Sequence, residues 1–227
     1  MDKIKLPNDS MILKWSITLL IFMICLIPIQ VLVYVLIPPP STVIGFFELF
    51  NSSIIKGLLS LDLLYLINNT VLAVIYLSFA WHLFKSSPFL VISALLLGVI
   101  GVAAYYASNP AFEMMVLSNK YYLSSGVELE RLLSVGEGML AHYEGTSFIA
   151  YYFLNAISLI LFSIAFNKSI DYPKRIAVFG FISAILMSIP STFGLIGMIF
   201  SLLSLIPWII FCLLITDAFI KQLKSMI

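Results

Sequence analysis

Leu61-Asp62-Leu63-Leu64-Tyr65-Leu66-Ile67-Asn68-Asn69 places a carboxylate, a phenol and two amides at the head of an apolar run that continues to residue 84. Read as one helix over 58–84, the run exceeds the roughly 20 residues that a bilayer crossing needs. At about 100° per residue, Asp62, Tyr65, Asn69, Ala73 and Tyr76 fall on one stripe, while Asn68 points elsewhere. Hydrocarbon offers such groups no hydrogen-bond partner, so the stripe is expected to face protein or a water-filled crevice.

The rest of the chain is written in the same solvent's language. Of its 227 residues, 62% are hydrophobic and 10% charged, with a mean hydropathy of +1.11. Soluble domains carry roughly 25% charged residues. A formal net charge of +1 offers no basic face for phosphates, which argues against a nucleic-acid partner. Cys25 and Cys212 lie within apolar runs and read as small buried hydrophobes rather than a disulfide or a metal knuckle.

Working outward, the pattern predicts an all-α integral membrane protein, a single six-helix domain over 1–227 with spans at about 12–37, 58–84, 89–107, 146–166, 174–190 and 195–217. The first run follows a polar leader and outlasts a signal-peptide core with no small-residue cleavage site after it, so it is read as a retained helix. Pro28 lies inside that run, with Gln30 placed to satisfy a freed carbonyl or to face the bundle, and Pro38-Pro39-Pro40 ends it. Residues 41–56 are too short and interrupted to span and read as interfacial. Gly98 and Gly101 allow close helix approach in the third span.

Residues 109–145 form the long polar segment, net −3 from Lys120 and Arg131 against Glu113, Glu128, Glu130, Glu137 and Glu144. Leu129, Leu132, Leu133, Gly136, Leu140 and Tyr143 recur there at helical spacing, which predicts one or two amphipathic helices over the bundle mouth. Six spans put both termini on one side. Nine of the twelve basic residues (Lys3, Lys5, Lys14, Lys85, Lys168, Lys174, Arg175, Lys221 and Lys224) fall on that side. The positive-inside rule then places both termini in the cytoplasm and the acidic segment outside. The two halves share no alignable repeat, so an inverted-repeat transporter is not indicated.

Candidate site residues follow from depth. Asp62 reads either as a proton-responsive or cation-binding carboxylate or as an acid anchoring a helix start. On the fourth span Glu144, Phe148, Tyr151, Asn155, Ser158 and Phe162 form a second stripe. The two stripes can meet around one outward cavity lined by Asp62, Tyr65, Asn69, Glu144, Tyr151 and Asn155, or Asn155 and Ser158 can serve as interhelical glue. Gly197, Ser201, Ser204 and Trp208 on the sixth span read as helix packing.

No metal or cofactor is expected. His82 and His142 fall on opposite sides of this topology, and Glu137 and His142 lie about 140° apart around a helix. His82 beside Trp81 and Lys85 reads as an interface residue. There is no G-x-S-x-G elbow, Walker loop or G-x-G-x-x-G, so neither nucleophilic catalysis nor nucleotide use is signalled.

Several strings together resemble a family of small bacterial and archaeal multi-pass membrane proteins, the domain-of-unknown-function family four-three-eight-six. They are Asp62-Leu63-Leu64-Tyr65-Leu66 with Asn68-Asn69, Gly138-Met139-Leu140-Ala141 leading to Tyr143-Glu144-Gly145-Thr146-Ser147-Phe148, Ile189-Pro190-Ser191-Thr192-Phe193-Gly194, and Leu202-Leu203-Ser204-Leu205-Ile206-Pro207-Trp208. The resemblance implies six membrane helices in a prokaryotic cell membrane and carries no catalytic residues across. The expected function is a non-catalytic one: binding of a lipid, or of a small apolar or cationic ligand, in an outward-facing polar-lined cavity. The alternatives are a lipid-modifying membrane enzyme with Asp62, Glu144 or His142 as acid or base, and a structural accessory subunit.

Overall fold

Proline, glycine and capping side chains cut the apolar sequence into ten helices in the computed structural model, which describes residues 9–226. Lys3 and Lys5, counted on the terminal side of the expected topology, lie outside the described residues. Helix α1 (Asp9–Leu36) keeps Pro28 inside it and stops before the three prolines. Thr42 caps α2 (Val43–Ser52), its hydroxyl accepting from Gly45 N at 3.2 Å. Ser53 adopts an extended backbone that ends α2 and caps α3 (Ile54–Ser60). Pro88 begins α5 (Pro88–Ser108) directly after α4 (Leu63–Leu83). Asn109-Pro110 separates α5 from α6 (Ala111–Leu123), and Gly126, at φ 62°, precedes α7 (Val127–Tyr143). After Gly145 come α8 (Thr146–Lys168), α9 (Lys174–Leu186) and α10 (Gly194–Ser225).

One boundary differs from the expectation in a way that matters for the site. The run 58–84 is not a single helix. It breaks at Asp62, whose φ of 62° lies in the left-handed region. That conformation is costly for most L-residues and more readily adopted by aspartate. Asp62 therefore leaves the helical stripe shared by Tyr65 and Asn69, and α4 starts after it. Residues 41–56, expected as one interfacial segment, are α2 and the start of α3.

Among the described residues, five stretches are long and apolar enough to cross a membrane: Asp9–Leu36, Leu63–Leu83, Pro88–Leu123, Val127–Lys168 and Gly194–Ser225. The fifth expected span is the 13-residue α9. At 1.5 Å per residue it covers about 20 Å, short of a core of roughly 30 Å. The chain is a helical, multi-pass membrane protein on this composition and length.

Contacts divide the chain into two units, each described by itself. The first comprises the described residues of Met1–Cys25 with Val71–Val99 and Tyr152–Ile227. Its centre is aromatic: Phe79 meets Phe162, Phe166 and Phe211 edge-on at 5.6, 5.4 and 5.9 Å between centroids. Gly98 closes the packing, because a Cβ there would lie 2.6 Å from the Tyr76 ring and 2.7 Å from Ser158 Oγ. Ser158 donates to the Ala94 carbonyl at 2.7 Å, which is the interhelical role expected of it. Helix α9 packs along α10, where Ser183 donates to the Ser204 carbonyl at 3.3 Å and Gly197 and Ser204 are buried. Trp81 donates to Asp9, and the His82 ring lies tilted against Phe219 at 4.7 Å between centroids. Cys212 is buried as expected, whereas Cys25 is exposed on α1, on an apolar surface suited to lipid.

The second unit comprises Leu26–Thr70 and Ile100–Tyr151. Here α2, α3, α6 and α7 share a core built on Val43, Phe46, Phe47, Phe50, Leu61, Ala111 and Met114. The long polar segment is thus two helices, within the one or two expected, and both pack on α2. Gly136 makes the contact possible, since a Cβ on it would sit 2.4 Å from Val43. Ser118 ties α6 to α2 by donating to the Phe47 carbonyl at 2.9 Å. Gln30 donates to the Leu64 carbonyl at 2.9 Å, so it braces α4 rather than mending α1.

Candidate functional site

At the left-handed turn before α4, Asp62 presents its carboxylate to side chains of α5 and α7. Its oxygen Oδ2 accepts from two phenols, Tyr105 at 3.2 Å and Tyr143 in a shorter contact. The backbone carbonyl of Asp62 meanwhile accepts from Tyr65 N and Leu66 N at 2.8 and 3.1 Å, opening the helix. The residue is half-buried and precedes the span Leu63–Leu83. Burial pushes its carboxyl up, and the hydrogen bonds from Tyr143 and Tyr105 pull the other way.

An aromatic cluster extends from the two phenols that reach this acid. Tyr105, fully buried, lies 5.5 Å from Tyr65, 4.9 Å from Tyr151 and 6.2 Å from Phe148. Tyr143 meets Phe148 at 5.7 Å. The phenol of Tyr151 donates to Asn69 Oδ1 at 3.1 Å, which brings together the two polar stripes expected on the second and fourth spans. Asn69 is fully buried, and its Nδ2 has no hydrogen-bond partner among the described residues. Asn109 braces the floor, donating to the Leu61 carbonyl at 2.9 Å and accepting from Ala111 N at 3.1 Å.

The expected residues separate into two groups. Asp62, Tyr65, Asn69 and Tyr151 belong to one network in the second unit. Glu144 is adjacent in sequence to Tyr143 but is exposed, ending α7 with its backbone N–H on the Leu140 carbonyl at 3.2 Å. Asn155 is buried one turn beyond Tyr151 on α8 and belongs to the first unit. His142, the base of an enzymatic reading, has its Nε2 2.9 Å from the Ala107 carbonyl.

Tyr105 and Tyr143 are the residues that sequence reasoning passed over. Tyr105 closes a span that reads as plainly apolar, and Tyr143 counted only as one more position on an amphipathic face. No spacing rule couples them to Asp62, which is 43 and 81 residues away respectively. The arrangement predicts a measurable coupling. Tyr143→Phe and Tyr105→Phe are each expected to cost about 1–2 kcal/mol, and the double variant less than their sum, because both phenols serve one oxygen. Thermal unfolding of the four proteins checks this; strict additivity would deny the shared acceptor.

The same unit carries a second feature. Phe112, Glu113, Val116 and Leu117 of α6 and Val135 and Met139 of α7 line an open groove of about 410 Å³ whose surface is almost wholly apolar. Against known proteins, the chain matches no protein-family model, no curated protein and no solved structure.

Proposed function

We propose that this protein is a prokaryotic cell-membrane protein that binds a lipid or a small apolar or cationic ligand, with Asp62 as the polar anchor. Six crossings, the fifth made by the short α9, with both termini cytoplasmic and α6–α7 outside complete the reading, as does kinship with family four-three-eight-six. Support for the topology comes from the nine basic residues on the terminal side. The observation that carries the binding role is a carboxylate on left-handed backbone, accepting from two tyrosine phenols, at the start of a membrane helix. Non-glycine residues in that conformation concentrate at ligand clamps.

Native mass spectrometry of protein extracted gently from membranes tests the reading. A copurifying ligand is expected, and its occupancy falls at least severalfold in Asp62→Asn. Unchanged occupancy with a lower melting temperature would instead make Asp62 a purely structural acceptor. That second reading, an accessory subunit whose polar stripes only join helices, is favoured by one observation: Tyr151 on α8 donates directly to Asn69 Oδ1 on α4.

A further inference from the structure

One end of the first unit gathers cations. Tyr172, buried, packs edge-on against Phe166 of α8 at 5.1 Å and Phe219 of α10 at 6.2 Å, and its phenol donates to Gln222 Oε1 at 3.5 Å. His82 of α4 lies against the same Phe219, and its neighbour Trp81 bonds Asp9 at the start of α1. These contacts bring the head of α1, the tails of α4, α8 and α10 and the turn 169–173 to one place. Lys85, Lys168, Lys174, Arg175, Lys221 and Lys224 each lie within three residues of one of these anchors, and all six are exposed. Seven basic residues against Asp9, Asp171 and Asp217 give the described part of this unit a net charge of +4. Lys221 pairs with Asp217 at 2.7 Å, and Lys174 donates to the Asn167 carbonyl. Among the described residues, Lys85, Lys168, Arg175 and Lys224 have no anionic partner.

An apolar side chain stands among these charges. Ser169 is buried and its Oγ accepts from Asp171 N at 3.3 Å, while Tyr172 is pinned inward, so the turn presents Ile170 outward, 96% exposed. The spanning stretch Val127–Lys168 ends two residues earlier, which puts Ile170 where hydrocarbon gives way to water. Trp81 and Phe84, both exposed, mark the same boundary as belt aromatics do. A soluble anion would use the cations and leave Ile170 in water. A phospholipid uses both, its phosphate among the cations and its acyl chain on Ile170. Charge then selects the headgroup. A zwitterionic one brings its own cation into a positive field, whereas an anionic one brings only the attraction.

We infer that this end of the first unit is a docking surface for anionic phospholipid, with Lys168, Arg175 and Lys224 supplying unpaired cations and Ile170 the apolar contact. The surface is separate from Asp62 and does not rest on the binding role proposed above.

Native mass spectrometry of the full chain in nonionic detergent, titrated with phosphatidylglycerol or with phosphatidylcholine of equal chain length, reads the preference. Each basic residue near anionic lipid is worth about fivefold, so phosphatidylglycerol is expected to bind at least about tenfold tighter. In the triple variant Lys168→Gln, Arg175→Gln, Lys224→Gln that advantage is expected to fall below about threefold. Lys56→Gln, Lys120→Gln, Arg131→Gln removes the same charge from the second unit and is expected to leave the advantage intact. Ile170→Ser is expected to weaken both lipids severalfold and keep their ratio. Thermal unfolding of the unsubstituted chain is an independent readout. Phosphatidylglycerol is expected to raise the melting temperature at low ionic strength, and to lose most of that gain in about 1 M salt, where charges are screened beyond about 3 Å. Inorganic phosphate at the same concentration is expected to raise it little. Equal affinity for the two lipids would overturn the inference, as would equal loss in both triple variants, which would show a response to net charge alone. Stabilisation by inorganic phosphate matching that by phosphatidylglycerol would overturn it too, leaving a free-anion site.

Discussion

Asp62→Ala is expected to destabilise the protein by about 3–4 kcal/mol, through three separable contributions. Alanine at φ 62° brings a Cβ into the left-handed region without the local polar compensation aspartate provides, at about 1 kcal/mol. The two phenols of Tyr105 and Tyr143 then lose their common acceptor. Tyr105 is fully buried and has no water to turn to, so its unsatisfied hydroxyl is the dearer of the two, at about 1–3 kcal/mol.

Two companion substitutions separate these contributions. Asp62→Gly relaxes the backbone but removes the acceptor, and should unfold above Asp62→Ala by about 1 kcal/mol. Asp62→Asn keeps an oxygen and tolerates left-handed backbone, losing only charge assistance, about 1–2 kcal/mol. For a chain of this length 3 kcal/mol corresponds to about 6–12 °C in melting temperature. The order Asn, Gly, Ala from most to least stable is the readout. Three equal variants within about 0.5 kcal/mol of wild type would show that the turn and the phenols contribute nothing.

Gly98→Leu is expected to prevent correct packing of the first unit, and Gly98→Ala to cost about 2–3 kcal/mol. A single added Cβ would stand 2.6 Å from the ring of Tyr76, which is itself buried, and 2.7 Å from Ser158 Oγ. The ring cannot swing away, because Phe162 lies 5.3 Å from it. Ser158 is fixed by its bond to Ala94. Gly138 is the control: it lies in α7 with nothing near its missing Cβ, so Gly138→Ala should be neutral or stabilising by up to about 1 kcal/mol. Melting curves in a common detergent check both, and equal effects at the two glycines would deny that Gly98 sets a close helix approach.

Much of this protein follows from the sequence alone. Apolar run length marked helices long enough to cross a membrane at five of the six expected spans, since backbone in hydrocarbon must satisfy itself and helices do so. Pro88, Asn109-Pro110 and Gly145 announced their own breaks, and the pairing of Asn69 with Tyr151 was within reach because two polar stripes in an apolar bundle have few other partners. Tertiary structure decided the rest. That Asp62 leaves the helix depends on partners held by α5 and α7, and a left-handed aspartate has no sequence signature. The second unit's core, with α2 and α3 packed on α6 and α7, depends on Gly136 meeting Val43 across 93 positions of chain. Local periodicity reports which face of a helix avoids water; which distant face it meets is settled only when side chains from remote segments compete for the same space.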